Sequence, residues 1–191
     1  MRLFTGIDLP AAVSARVAGL IEQFRPFAPL RWSPPANLHI TTKFIGAWPA
    51  HRVNEMISVL QGMDRIHHFD VHLGSLGWFP NPHRPRIFCV SVKVAPVERL
   101  ELLAARINET LAALGIPPEA REYKPHLTLA RVDPRTRPAA GLAPLRRAVA
   151  ELDSPDLGRF SCSSFHLYES RQEKGGSEYS KLATFPLLQL T

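Results

Sequence analysis

Between residues 11 and 24, "AAVSARVAGLIEQF", apolar side chains recur at Val13, Val17, Leu20, Ile21 and Phe24, the spacing of one helix face. The run before it, "RLFTGIDL" (2–9), predicts a strand; Pro10 ends that strand and suits the first turn of the helix. "WSPPAN" (32–37) predicts a loop, and the apolar run after it a strand that carries His39 and is closed by Gly46. Pro49 opens a second helix over 50–63, "AHRVNEMISVLQGM". A strand pair follows, "FDVHLGSLGWF" (69–79) and "RIFCVSVKV" (86–94), joined by the turn-rich "PNPHRP".

The layout then starts again. "RIFCVSVKV" opens with Arg, an aliphatic residue and Phe, as "RLFTGIDL" does. Pro96 introduces a long amphipathic helix to about Leu114, and a proline-containing loop leads to a strand carrying His126. Arg86 lies 84 residues after Arg2, Pro96 lies 86 after Pro10, and His126 lies 87 after His39. This is a divergent internal repeat of strand, helix, loop and histidine-bearing strand. A helix (141–152) and two strand-like runs (159–169 and 178–187) complete the chain. Strands and helices alternate, with hairpins as well as crossovers, so the expected fold class is α+β. Duplicated units tend to be related by a pseudo-twofold axis, which would set the two histidine-bearing strands face to face across a groove.

Composition narrows this only a little. A chain of 191 residues with 45% hydrophobic and 21% charged content is that of a globular protein, sufficient for one domain or two closely packed lobes. The formal net charge of +6 favours polyanionic partners such as nucleic acid or phosphorylated metabolites, although a solvated basic surface accounts for it as well. Cys89 and Cys162 both sit in strand-like apolar runs, which fits reduced, buried thiols better than a disulfide framework. No stretch of about 18 apolar residues could span a membrane, and the N-terminus is too interrupted for a signal-peptide core. The cytoplasm is the expected location.

The candidate chemistry lies in "NLHITTKFIG" (37–46) and "REYKPHLTLAR" (121–131), each with a His-x-Thr. Positions i and i+2 of a strand share a face, about 6–7 Å apart. His39 and Thr41 therefore face one way, as do His126 and Thr128, while Ile40 and Leu127 turn to the core. An imidazole exchanges protons near neutral pH, and a hydroxyl can donate to an anionic oxygen. Two such pairs could grip a phosphodiester, one histidine acting as general base and the other as general acid. Arg131 could neutralise part of the charge. About 0.3 His-x-Thr is expected by chance in this composition, so spacing alone leaves structural histidines open. Their equal places in the repeat favour function.

With these motifs placed, the chain resembles the two-histidine phosphoesterase superfamily, and within it the RNA 2′,3′-cyclic phosphodiesterases once called 2′-5′ RNA ligases. The resemblance runs through "RLFTGIDLP", "RWSPPANLHITTKFIG", "GWFPNPHRPRIF", "YKPHLTLAR" and "LYESRQEKGGSEYSKLATFPL". It implies a bilobal, single domain over 1–191, with antiparallel sheets flanking a central cleft. It also implies hydrolysis of a terminal 2′,3′-cyclic phosphate to a 2′-phosphomonoester without metal or cofactor. His39 would be the proton donor to the leaving ribose oxygen and His126 the base that activates water. Thr41, Thr128 and Arg131 would hold the phosphate. RNA with 2′,3′-cyclic ends, tRNA fragments among them, would be the partner, and the expected state is a monomer. Thr42, Cys89 and Lys124 depart from the family pattern. Hydrolysis or formation of 2′-5′ linkages, a non-catalytic RNA-binding accessory protein, and an esterase for small cyclic phosphates are the alternatives.

Other residues carry weaker signals. His67, His68 and His72 lack the ligand spacing of a metal site, and no Gly-rich phosphate loop occurs. His51, His83 and His166 read as surface or loop histidines. Lys43, on the same strand face as His39 and Thr41, could approach the phosphate, although a solvated lysine is the preferred reading. Trp32, Trp78, Phe79 and Tyr123 flank loops and could stack on a base or belong to the core. "EKGGSEY" (173–179) reads as a hairpin turn.

Overall fold

In the computed structural model, residues 1–132, 139–152, 155–174 and 176–189 are described. The first unit consists of β1 (Arg2–Asp8), α1 (Ala11–Phe24), the two-residue β2 (Arg31–Trp32), β3 (His39–Ala47), α2 (Val53–Gln61) and β4 (Phe69–Phe79). The second consists of β5 (Ile87–Ala95), α3 (Arg99–Ala112), β6 (His126–Arg131), α4 (Ala143–Glu151), β7 (Arg159–Cys162), β8 (Ser164–Glu173) and β9 (Gly176–Pro186). The predicted α+β class and both repeat units are present. The second helix starts later than its pattern predicts, because Ala50–Arg52 form a 3-10 turn first. The run 159–169 divides into two strands at Ser163, and β2 lies at the start of what reads as a loop.

The strands form one antiparallel path in the order β7-β4-β5-β6-β3-β1-β8-β9, with β2 pairing β6 from the side. Its centre is the seam between β6 and β3, where a single residue pair, Ile40 and Leu127, joins two four-stranded halves. Each unit lends strands to the other half: β4 pairs β5, and β8, with β9 beyond it, pairs β1. The helices cover one face, α3 against β3 and β5 and α2 against α3 and β9. Alternation turns Ile40, Leu127, Val90 and Val71 into that side, and all four are completely buried. The opposite face is left open for the histidines.

Alternation breaks at the same place of the repeat in each histidine strand, and in β3 it breaks a second time further on, at Ile45. Thr5 pairs Lys43 and Gly6 pairs Thr41, leaving Thr42 as an extra residue; Phe88 pairs Ala130 and Cys89 pairs Thr128, leaving Leu129. A bulge of one residue reverses the faces of everything beyond it. Lys43 is thereby turned into the helix side, where its ammonium donates to Asn108 and to the Pro117 carbonyl. It is buried on the helix side, which corrects both the reading of a solvated lysine and that of one approaching the phosphate. Phe44 and Arg131 are turned to the open face instead.

Thr42 has a local partner. Its hydroxyl and that of Thr5 share a buried hydrogen bond of 2.7 Å. Thr42→Val should cost about 1–3 kcal/mol in chemical denaturation, because it strands the Thr5 hydroxyl. Adding Thr5→Val should recover much of that loss; a double variant no better than the single would show the bond is immaterial.

Candidate active site

The seam determines which side chains meet. Antiparallel pairing at Ile40 and Leu127 sets His39 beside Thr128 and Thr41 beside His126, around a local twofold. All four line one open cavity of 340 Å³, together with Arg131, Arg31, Phe44, Phe79 and Tyr179. The five residues singled out in the sequence are thus brought together.

Each imidazole is held in the same way. Nδ1 of His39 lies 2.7 Å from the Asn37 carbonyl, and Nδ1 of His126 lies 2.8 Å from the Lys124 carbonyl, in both cases two residues back along the chain. A carbonyl only accepts, so each Nδ1 carries the proton and each Nε2 is the nitrogen free to exchange one. In the neutral ring of His39, the Thr41 hydroxyl donates to Nε2 over 3.0 Å. Ring contacts fix the planes further. His126 stacks on Phe79 with centroids 5.1 Å apart, and His39 lies 4.7 Å from Phe4 with the edge of Tyr179 at 5.2 Å. Gly6 permits this, because a Cβ there would come within 3.0 Å of the Ile40 carbonyl and 3.4 Å of the His39 ring.

Behind His39 stands a carboxylate. Asp8 is its register partner on β1 and shares its face. Tyr168 and Lys181 both donate to the Asp8 carboxylate, and Nε2 of His166 lies 3.6 Å away. Burial works against ionisation of Asp8, but these hydrogen bonds and the neighbouring positive charge outweigh it, so the carboxyl titrates below its usual range. The corresponding partner of His126 on β5 is the neutral Ser91. Burial is the largest influence on His39 and pulls its pKa below the ordinary histidine value; Arg131 and His126 act in the same direction, while the Asn37 carbonyl and Asp8 oppose them.

Several residues differ from their sequence readings. His166 is a buried strand residue bonded to Thr184, not a surface or loop histidine, and burial lowers its pKa too. Tyr123 donates its hydroxyl to the Thr41 carbonyl at 2.8 Å, tying the second unit to the first, so it is no base platform. Trp32 and Trp78 pack on Phe88. Cys89 and Cys162 are buried free thiols, pushed by burial up to about 11 and about 12. His67 bonds the Gln189 carbonyl and His68 bonds Ser161. Among the described residues no cluster of three or more His, Cys, Asp or Glu is placed to hold a metal ion, and no helix is long and apolar enough to cross a membrane. Arg31, Phe44 and Tyr179 are lining residues that strand alternation alone misses.

The fold and its paired imidazoles define a class, the phosphoesterases built from two histidine-bearing halves. The chain belongs to the LigT-like phosphoesterase family, whose pattern matches it over residues 7–89 and again over 91–179, one match to each repeat unit. It is 31% identical over 191 residues to an RNA 2′,3′-cyclic phosphodiesterase of Thermus thermophilus, covering 98% of this chain and 90% of that one. A protein of the same description from Methanocaldococcus jannaschii is 30% identical over 182 residues, covering 94% and 96%. Among solved structures, Escherichia coli LigT in its apo form superposes with a TM-score of 0.75 at 25% identity, covering 98% of both chains. A solved structure of a Thermus thermophilus protein does so with 0.76, again at 25% identity and 98% of both chains.

Proposed function

We propose that the protein hydrolyses RNA ends bearing a 2′,3′-cyclic phosphate to 2′-phosphomonoesters. The observation that supports this most is the matched pair of imidazoles, each tied through Nδ1 to a carbonyl and each offering Nε2 to one cavity. Water enters on the His126 side, and Nε2 of His126 takes a proton from it as its oxygen bonds to phosphorus. In line with that attack, the P–O3′ bond breaks, and the departing ribose oxygen takes the Nε2 proton of His39. Thr41 and Thr128 donate to the non-bridging oxygens, and Arg131 offsets their charge. His126 then returns its proton to solvent and His39 regains one. Activated water, a protonated leaving oxygen and neutralised phosphate oxygens are all supplied by side chains, so the reaction as proposed proceeds without a metal.

The acid role requires protonated His39, which burial resists and Asp8 favours. Asp8→Asn removes the opposing negative charge and lowers the His39 pKa further. The descending limb of the kcat/KM profile should therefore move to lower pH. An unmoved limb would show that Asp8 has no part in holding that proton. The function itself is tested with a short 2′,3′-cyclic-phosphate RNA in excess chelator. Conversion to the 2′-phosphate is expected; bound but unaltered RNA would favour an RNA-binding accessory protein instead.

A further inference from the structure

One contact in the cleft is electrostatically unfavourable as it stands. Arg31 and Arg131 are direct cross-strand partners of β2 and β6, both exposed and both lining the cavity of the two histidines. Like charges directly opposite on a sheet destabilise it, and among the described residues neither guanidinium is in an ion pair. The arrangement is nonetheless built in. Trp32 packs on Phe88 on the core side, and Ser33 is pinned to β6 by its N–H to the Leu129 carbonyl (2.8 Å) and its hydroxyl to the Thr128 carbonyl (3.0 Å). Arg31 is thereby held at the cleft. An anion between the two guanidiniums would remove the repulsion and use their forked donors.

The direction of the reaction indicates which anion. Because His39 lies beside Thr128, it stands towards the Arg131 end of β6. In-line displacement places the leaving ribose oxygen at His39, and with it the terminal nucleoside and the strand leading away from its 5′ oxygen. We infer that Arg31 binds the phosphodiester immediately 5′ of the terminal nucleotide, which makes the preferred substrate an oligoribonucleotide end rather than a mononucleoside cyclic phosphate. This rests on the function proposed above. The basic row Lys93, His72 and Arg159, register partners across β5, β4 and β7, lies beyond His126 on the water side and is not on this path.

The test compares kcat/KM for a dinucleotide ending in a 2′,3′-cyclic phosphate with that for the mononucleoside 2′,3′-cyclic phosphate. The native chain should prefer the dinucleotide by about tenfold, the worth of one charge-assisted contact. Arg31→Gln should bring the ratio close to one, and Arg31→Lys should keep part of it. A ratio unchanged in Arg31→Gln, or no preference in the native chain, would overturn the assignment. Turnover of neither substrate by the native chain would sink the functional reading, and this assignment with it.

Discussion

His126→Ala should lower kcat on a 2′,3′-cyclic-phosphate RNA by about 10²–10⁴ while leaving RNA affinity within a few-fold. Nε2 of His126 is the group placed to take the proton of water, and its Nδ1 is already committed to the Lys124 carbonyl. Without the ring, Thr128, Thr41 and Arg131 still line the cavity and can hold phosphate, so binding outlasts catalysis. His39→Ala should cause a loss of the same order at the leaving oxygen. Single-turnover rates and equilibrium titration measure the two quantities separately. Loss of binding in step with rate would mean that the histidines anchor the substrate rather than move protons.

The second large effect is on stability. Ile40 and Leu127 are both fully buried and form the pair that joins β3 to β6. Ile40→Ala should lower stability by about 2–5 kcal/mol in urea unfolding, since a cavity at the seam has walls from both halves and little freedom to collapse. For a chain of this size each kcal/mol corresponds to about 2–4 °C in Tm. The same change should reduce kcat, because the seam sets the spacing of the two imidazoles. A loss below about 1 kcal/mol would mean that the halves are held together elsewhere.

Much of the site is legible along the chain because it rests on two simple regularities. Period-two alternation puts His39 with Thr41 and His126 with Thr128, and the repeat puts those pairs at equivalent places. What escapes is what breaks the period. The bulge at Thr42 sends Lys43 inward and brings Phe44 to the cleft, and nothing in "ITTKFIG" marks it. Arg131 reaches the cleft only because its strand bulges too; its charge and its place at the end of the strand, not alternation, single it out. Arg31 is hidden because a two-residue strand has no periodicity to detect. His166 reads as peripheral because the partners that bury it, Asp8 and Thr184, are remote in sequence or on the next strand. Tyr179 follows a hairpin turn, and only pairing of β9 with β8 carries it to the edge of the His39 ring.

The division of labour between the histidines is tested most directly by a cyclic substrate in which sulfur replaces the 3′ oxygen. A thiolate leaves without a proton, so such a substrate needs the base but not the acid. If His39 protonates the leaving group, His39→Ala should hydrolyse the sulfur substrate at close to the native rate, while His126→Ala should remain slow on both. Rescue of His126→Ala instead, or equal defects of both variants on the sulfur substrate, would contradict the assignment.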